Sequence, residues 1–455
     1  MAANFELTRE YLDQLKDAIS NEDSVVTHEM VDDLHPADIA EIYDELNIDE
    51  AKFVHLLLEG EKSADVLMEL EEDVRERFLE ALPGDVIAHK FIEKLDSDDA
   101  ADVLNELSEE KKSEVLKSID DTEQAGDIVD LMSYDEDSAG GLMAKELIQV
   151  NVNWDLVTCM REMRKQAAEV DEIYYVYVVD DDGILQGTVS LKRMLLVRPN
   201  AKIKNIYNNK VISVPTDMPS NDVALIMEKY DLVALPVVDL LGRLLGRITI
   251  DDVVDVIKEE AEKDYQMISG ISEDVEPSDN VLLLTRARIP WLLIGLAGGI
   301  LGAQVISRFE GQISEYPQMA MFIPLIAAMG GNVGVQSSSI VVQGLANKSF
   351  SLDSTWQKLT KEVSVAFLNA AIFSILIFGY NYFFTTGFAL TVMVSISLFT
   401  VMMFASVFGA FIPMILNRFK ADPAVATGPF ITTMNDVLGI VIYMAIGRII
   451  FNALM

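Results

Sequence analysis

The sequence predicts a multidomain chain: an all-α superhelical domain, then an α/β pair of repeated domains, then an α-helical membrane domain with five transmembrane helices. Three observations support this order. A helical phrase recurs over residues 24–133, a strand–turn–strand segment recurs with an offset of 59 residues, and five apolar stretches follow residue 288. The length of 455 residues suits roughly three domains of about 150 residues each.

The helical phrase is an Ala-Asp pair followed by apolar residues at helical spacing, closed by Glu-Leu. It occurs at 36–40, 63–67 and 100–104, with intervals of 27 and 37 residues. This irregular repeat predicts a stack of short amphipathic helices over residues 1–135. For any single acid in it, the alternative is the solvated face of a helical scaffold.

The second repeat is cleaner, because residues 178–190 recur as 237–249. Each copy has an apolar strand, a turn of Asp and Gly, a second strand and then a helix, which predicts two α/β domains at 136–199 and 200–257. The acidic segment 251–280 follows. Acids in its first turn predict a capped helix that connects the repeats to the membrane domain, or simply a solvated acidic helix.

Charge separates the two halves of the chain. Residues 281–455 hold nine basic and six acidic residues, and the first 280 hold 26 basic and 67 acidic residues. Residues 1–280 therefore carry a net charge of −41, and residues 281–455 carry a net charge of +3. A surface this acidic argues against nucleic acid or an anionic membrane face as its partner. It indicates either solubility or cation binding.

The ligand chemistry of the chain is dominated by oxygen. The single Cys159 and four scattered His residues offer no disulfide framework and no zinc-ligand spacing. Carboxylates suit Mg²⁺ or Ca²⁺. The sequence shows no nucleophile–base constellation and no Walker motif, so an enzyme is not expected. The N-terminus lacks an apolar h-region, so no cleaved signal peptide is expected.

Five apolar stretches are near or above the ~20 residues that cross a bilayer. They lie at 289–306, 319–343, 363–384, 388–416 and 425–450. With the N-terminal domains in the cytoplasm, the inner connections hold seven basic residues and the outer ones two. The excess of positive charge inside favours this orientation and puts the C-terminus outside.

The second stretch contains Pro324 and a glycine-rich run with Gly330, Gly331, Asn332 and Gln336. Proline and glycines predict a broken or thinned helix, which is tolerated at membrane depth where it lines a cavity. The two amides are four residues apart and share a face. The alternative is a close helix–helix contact through small residues.

Asp436 is the most informative residue, because it lies near the middle of the last stretch with no basic residue beside it. A carboxylate at the centre of a span costs about 2.5–3.5 kcal/mol on insertion scales, so its natural partner is a cation. Thr432 and Asn435 precede it and predict a hydrated path. The alternative is a buried structural acid bonded to Asn or Thr.

The whole chain resembles the MgtE family of magnesium channels, and its α/β repeats resemble a tandem CBS pair. The most specific matches are Asp-Ser-Ala-Gly-Gly-Leu-Met at 137–143, Gly-Gly-Asn at 330–332, Asp422-Pro423-Ala424, and Asp436-Val437. The resemblance implies a homodimer with one pore on the two-fold axis and Asp436 as the pore acid. It also implies regulatory Mg²⁺ ligands, which are Asp65, Asp98, Asp231, Asp252, Asp255, Glu260 and Asp264.

Nucleotide binding is a further implication of the CBS resemblance. The second copy carries Thr249 and Asp252 in the positions of the phosphate-binding hydroxyl and the ribose-binding acid, which allows ATP or another adenosine nucleotide. The first copy has Arg193 where the acid belongs. Two other positions depart from the family: Val335 replaces a common Asn beside the pore, and Lys263 replaces one acid of the connecting helix.

Residues and resemblance together predict a Mg²⁺-selective channel that imports Mg²⁺ across a bacterial plasma (inner) membrane. Cytosolic Mg²⁺ bound between the acidic domains would close it, and Co²⁺, Mn²⁺ and Ca²⁺ are candidate competing ions. One alternative is a Mg²⁺ or Co²⁺ carrier coupled to Na⁺ or H⁺. Another is an adenylate-sensing CBS membrane protein whose spans only anchor it or signal. Asp436 argues against this alternative, because an anchor does not need a buried acid.

Overall fold

The computed structural model describes residues 5–454 with several gaps, which are 59, 168–169, 171–172, 273–274, 276–279, 347–351, 385–386, 421–422 and 424–427. Two compact units divide the chain, Met1–Lys258 and Glu259–Met455.

Ten short helices form the first part of the first unit. They are α1 Arg9–Ser20, α2 Ser24–Val31, α3 Pro36–Asp44, α4 Ile48–Leu57, α5 Glu61–Met68, α6 Glu72–Glu80, α7 Gly84–Lys90, α8 Ser97–Glu106, α9 Glu109–Ser118 and α10 Thr122–Leu131, with a 3-10 turn at Ile92–Lys94. The three copies of the helical phrase fall on α3, α5 and α8. The predicted helical N-terminal domain is therefore confirmed.

Local signals explain why these helices start where they do. Asn47 caps α4 and forms a reciprocal capping box with Glu50. Each helix then buries one apolar face in a shared core, to which Leu67, Ile87 and Phe91 contribute fully buried side chains. Helices of ~10 residues are marginal alone in water, so this packing stabilises them.

The two repeats fold as two copies of one small α/β domain. The first has β1 Ile148–Asn151, α11 Leu156–Gln166, β2 Val176–Val179, β3 Leu185–Val189 and α12 Leu191–Leu196. The second has β4 Val214–Pro215, α13 Ser220–Tyr230, β5 Ala234–Val238, β6 Leu244–Thr249 and α14 Ile250–Ser269. In each sheet a parallel pair is followed by an antiparallel pair. The register shifts at Val178/Val179 and at Val237/Val238, so even the irregularity is repeated.

The second unit holds the long apolar helices. They are α15 Val281–Arg308, α17 Ile323–Ala346, α18 Leu352–Phe384, α19 Phe388–Arg418 and α20 Gly428–Leu454, with a short α16 Glu310–Glu315 and a 3-10 helix Pro317–Phe322 between the first two. Within the described residues, five helices are long and apolar enough to cross a membrane. The five predicted spans are confirmed, and α19 is the most buried of them.

One detail of the membrane prediction is wrong. The second long helix, α17, is continuous through Gly330, Gly331 and Gly334 rather than broken. Pro324 lies in its first turn, where no backbone donor is needed, so it does not interrupt the helix. Helix α18 begins at Leu352, so it includes Glu362, which hydropathy had placed before the third span.

Candidate metal centres

The membrane centre is built around Asp436 on α20, which faces the glycine run of α17. A Cβ placed on Gly331 would lie 3.3 Å from Asp436 Oδ1 and 3.1 Å from Thr432 Cγ2. A methyl group at this position would crowd the carboxylate. Gly331 therefore leaves the space in which the Asp436 side chain sits.

Asn435 is the second polar group of this centre. It is 1 % exposed, and both its side-chain oxygen and its side-chain nitrogen lack hydrogen-bond partners among the described residues. An unsatisfied buried polar group costs about 1–3 kcal/mol. Gly334 packs directly against this amide. The amide is thus held at a cost, which indicates a role other than packing.

The predicted pore-lining residues occupy two different faces of α17. Gly330 and Gly331 are buried against neighbouring helices, whereas Asn332 and Gln336 are exposed in the single chain. Thr432 donates its hydroxyl proton to the Gly428 carbonyl at 3.0 Å, so its lone pairs remain available. The close helix contact was an alternative in the sequence, and the glycines do make it. The centre itself combines Thr432, Asn435 and Asp436.

Carboxylate, amide and hydroxyl oxygens are hard ligands. Mg²⁺ dehydrates reluctantly and usually keeps several waters, so one or two carboxylates and a few oxygens suffice to hold it. The membrane centre therefore fits a hydrated divalent cation. Asp422, which belongs to one matched motif, lies outside the described residues.

The second centre is an acidic cluster in the first unit, formed by Asp96, Asp98, Asp99, Glu146 and Asp252. Asp98 and Asp99 occupy the first turn of α8, and Asp252 occupies the first turn of α14. The carboxylate oxygens of Asp96, Asp98 and Glu146 all lie within 4.8 Å of one another. Such an approach of three acids requires compensation by protons or cations.

Hydrogen bonds fix the geometry around Glu146. Ser97 donates its backbone N–H and its hydroxyl to Glu146 Oε2, at 3.2 and 2.8 Å. The Lys145 backbone N–H donates to Ser97 Oγ at 2.9 Å. Glu146 therefore caps the start of α8. It also holds the segment that precedes β1 against the helical domain.

Asp252 is fixed from the other side of the cluster. Its Oδ2 accepts two hydrogen bonds from Thr249, one from the backbone N–H and one from the hydroxyl, each of 2.8 Å. Thr249 and Asp252 thus bind each other. In this structure the two predicted nucleotide ligands are engaged in the helix start and in the acidic cluster.

Electrostatics show that the cluster is short of positive charge. Burial, together with the neighbouring Asp99 and Asp252, raises the pKa of Asp98 well above its usual range. Burial followed by the charge of Asp252 raises the pKa of Asp99 to about 7. Burial also raises the pKa of Asp252, against the Thr249 hydrogen bonds that lower it. Arg247 is a basic partner, with its guanidinium 3.6 Å from Asp96 Oδ2.

The other predicted regulatory acids lie elsewhere. Asp65 is exposed on α5, Asp231 is exposed in a left-handed conformation at the end of α13, and Asp255 is exposed on α14. Glu260 is exposed and Asp264 half-buried further along α14. Of the eight predicted ion ligands, the structure brings Asp98 and Asp252 together in the acidic cluster.

Three residues of the acidic cluster are absent from the sequence prediction: Asp96, Asp99 and Glu146. The run Asp-Ser-Asp-Asp at 96–99 is a local signal, because clustered acids at a helix start concentrate negative charge. Glu146 has no such signal. It reaches α8 across 49 residues of chain, and only the fold reveals this contact.

Comparison with known families defines the class of protein. A family model described as "Divalent cation transporter" matches residues 323–446, and the MgtE intracellular N domain model matches 34–137. The CBS domain model matches 139–199 and 203–259. With five apolar helices long enough to cross a membrane among its described residues, the chain is a multi-pass divalent cation transporter.

Full-length relatives give the family. The chain is 32% identical over 442 residues to the magnesium transporter MgtE of Thermus thermophilus, covering 96% of this chain and 98% of the relative. It is 30% identical to that of Bacillus subtilis, covering 93% and 94%. The protein belongs to the MgtE family of magnesium transporters.

A solved structure resembles the first unit. It is the cytosolic domain of the Mg²⁺ channel MgtE in complex with ATP, 34% identical, with a TM-score of 0.50. The match covers 54% of this chain and 99% of that one. The predicted fold of helical domain and CBS pair is consistent with this likeness.

Proposed function

We propose that this protein is a homodimeric channel that imports Mg²⁺ across the bacterial plasma membrane and that cytosolic Mg²⁺ closes it. The observation that carries the proposal is the acidic cluster, where Asp98 and Asp252 meet although they are far apart in sequence. The identity of the transported ion follows from membership in a family of magnesium transporters. Asp436 supplies the conducting site.

Conduction is proposed to use two copies of the membrane centre. In a dimer with its two-fold axis through the pore, two Asp436 carboxylates would face each other and hold a hydrated Mg²⁺ between them. The exposed Asn332 and Gln336 would line the same path. The seven-to-two bias of basic residues supports cytoplasmic N-terminal domains and an outer C-terminus.

Closure is proposed to follow from differential binding. An ion shifts an equilibrium only as far as its affinity differs between the two states. Mg²⁺ that bridges buried acids favours the compact arrangement in which they meet. Without Mg²⁺, the ionised acids repel and this arrangement is disfavoured, so the channel opens.

A contact inside the second unit supports a route from the connecting helix to the pore. A Cβ on Gly428, which begins α20, would overlap the carbonyl of Ile268 in the last turn of α14. Gly428 also has a φ of 52°, a conformation that side chains disfavour. The end of α14 thus abuts the helix that carries Asp436.

Single-channel recording in a planar bilayer tests the proposal. The full-length protein should give discrete current steps in Mg²⁺, and Mg²⁺ on the side of the soluble unit should close them. A carrier coupled to Na⁺ or H⁺ would instead give transport without unitary steps. Absence of steps, with uptake that depends on a Na⁺ or H⁺ gradient, would contradict the channel and favour the carrier.

The pH dependence of stability should also change with Mg²⁺. The pKa values of Asp99 and Asp102 are each raised to about 7, mainly by burial, so the folded state binds more protons than the unfolded state. Stability of the first unit should therefore fall as pH rises from about 4 to about 7 without Mg²⁺. Bound Mg²⁺ compensates the ionised carboxylates, so saturating Mg²⁺ should flatten this dependence.

Thermal unfolding of the full-length protein from about pH 5 to pH 8, with Mg²⁺ or with a chelator, provides the measurement. Parallel curves in the two conditions would show that Mg²⁺ does not bind these acids.

Nucleotide binding is a second candidate function, favoured by the likeness to an ATP complex. In the first unit, Tyr174, Tyr175, Tyr177 and Arg247 line a narrow cavity that has no room for a water molecule. Ligand pockets usually measure about 300–1,000 Å³, so a nucleotide would require this cavity to widen. ATP would then act as a modulator of the same channel.

A further inference from the structure

A buried polar network links three membrane helices around Glu362. Ser337 on α17 donates its hydroxyl to Glu362 Oε1 on α18 at 2.7 Å. Ser337 Oγ and Ser406 Oγ on α19 are 2.8 Å apart. The two serines are 3 % and 1 % exposed. The Glu362 carboxylate on α18 thus accepts from a chain of two serines.

The directions of these hydrogen bonds follow from proton counting. A serine hydroxyl has one proton, and that of Ser337 goes to the carboxylate. The bond between the serines therefore uses the proton of Ser406, and Ser337 accepts it. Glu362 Oε1 is thus the terminal acceptor of a hydrogen-bond chain that runs from Ser406 through Ser337.

The network lies beside a close contact between α17 and α19. A Cβ on Gly409 of α19 would overlap the Gly334 carbonyl of α17. Gly334 and Ser337 are one turn apart on α17, and Ser406 and Gly409 are one turn apart on α19. The same Gly334 packs on its other side against Asn435 of the membrane centre. A shift of α17 away from α19 would therefore move it relative to Asn435 and Asp436.

We propose that Glu362 is a positioning residue of the pore. Its carboxylate, through Ser337 and Ser406, fixes α17 so that Gly331 and Gly334 meet α20 at the membrane centre. This inference rests on the proposed function of Asp436 as the conducting site. It requires of Glu362 an acceptor oxygen rather than a negative charge as such.

The test compares variants by the Mg²⁺ concentration that gives half-maximal uptake into proteoliposomes containing the full-length protein. Glu362→Ala and Ser337→Ala should each raise this concentration about tenfold. Glu362→Gln keeps an acceptor oxygen and should stay within about twofold of wild type. Ser364→Ala is the matched control, because among the described residues the Ser364 hydroxyl bonds along its own helix, to the Thr360 carbonyl.

A merely structural role would lower the amount of folded protein and leave the half-maximal concentration unchanged. That outcome for Glu362→Ala would overturn the proposal. Equal impairment of Glu362→Gln and Glu362→Ala would also overturn it, because the charge rather than the acceptor would then matter. The variant that combines Glu362→Ala with Ser337→Ala should have a half-maximal Mg²⁺ concentration no higher than that of either single variant. Both substitutions break the same hydrogen-bond chain.

Failure of the proposed function would appear differently, as absent Mg²⁺ uptake by the wild-type protein. Thermal unfolding in detergent would then test whether Glu362 and Ser337 interact. Non-additive losses of Tm for Glu362→Ala and Ser337→Ala would support it, and additive losses would overturn it.

Discussion

Asp436→Ala is expected to abolish Mg²⁺ uptake while leaving a folded, membrane-inserted protein. Asp436 is the ninth residue of α20, deep enough that a carboxylate there needs a cation or a proton. Gly331 leaves space beside its Oδ1, and Asn435 next to it has unsatisfied polar atoms. Removal of the carboxylate takes away the only charge of the membrane centre.

Asp436→Asn sharpens the experiment, because it keeps the volume and hydrogen-bonding capacity of the side chain but removes its charge. If the charge holds the ion, the Asn variant should fail as completely as the Ala variant. Burial of a neutral amide at this depth costs less than burial of a carboxylate, so the Asn variant should be at least as stable as wild type.

Growth of a strain that depends on this transporter at low Mg²⁺ provides the measurement, together with ²⁸Mg²⁺ uptake normalised to folded protein. Wild-type growth on either variant would show that the conducting site lies elsewhere. Growth on Asp436→Asn alone would show that Asp436 acts through hydrogen bonds rather than through charge.

The fold was largely predictable because its signals are local. Hydropathy identified five spans, and an offset of 59 residues identified two domains with matching strand registers. The ends of the spans were less predictable. Helices continue past the apolar core, so α15 begins at Val281 and includes Arg286 and Arg288, which hydropathy had placed before the span.

The glycine run shows where local propensity fails. Glycine weakens an isolated helix by roughly 1 kcal/mol, which suggested a break in α17. Packing overrides this weakness, because Gly334 and Gly409 allow the backbones of α17 and α19 to touch. A sequence pattern cannot reveal whether a glycine loosens its own helix or admits a neighbouring one.

The two candidate centres differed in how readily they could be found. Asp436 is conspicuous as an acid in an apolar run, so composition alone identified it. Family resemblance identified Asp98 and Asp252 as candidate ligands, but it did not predict that they meet, because no local pattern joins residues this far apart in the chain. Glu146 escaped both approaches. Its role depends on hydrogen bonds to Ser97 that only the folded chain forms.

Asp252→Asn is expected to leave conduction intact but to reduce its control by Mg²⁺. Asp252 lies in the acidic cluster, where burial raises its pKa and its charge raises the pKa of Asp98 and Asp99. Loss of one carboxylate weakens Mg²⁺ binding to the compact state. Loss of about 1.4 kcal/mol in differential affinity changes the population ratio tenfold.

A second effect has the opposite sign and determines which quantity should be measured. Neutralising Asp252 also relieves repulsion among the buried acids, which favours the compact state in the absence of Mg²⁺. Open probability at one Mg²⁺ concentration therefore mixes two effects. The open-to-closed population ratio at zero Mg²⁺, divided by the same ratio at saturating Mg²⁺, depends only on differential binding, and we expect this quotient to fall about tenfold.

Asp255→Asn is the matched comparison, since it removes the same charge from the same helix at an exposed position three residues away. We expect Asp255→Asn to reduce the Mg²⁺ dependence of the open-to-closed ratio less than Asp252→Asn does, because an exposed acid is solvated and screened. The measurement is single-channel recording of both variants over a Mg²⁺ titration. Two outcomes would show that the acidic cluster is not the site through which Mg²⁺ closes the pore. One is that Asp252→Asn keeps the wild-type Mg²⁺ dependence of the open-to-closed ratio. The other is that Asp255→Asn reduces this dependence as much as Asp252→Asn does.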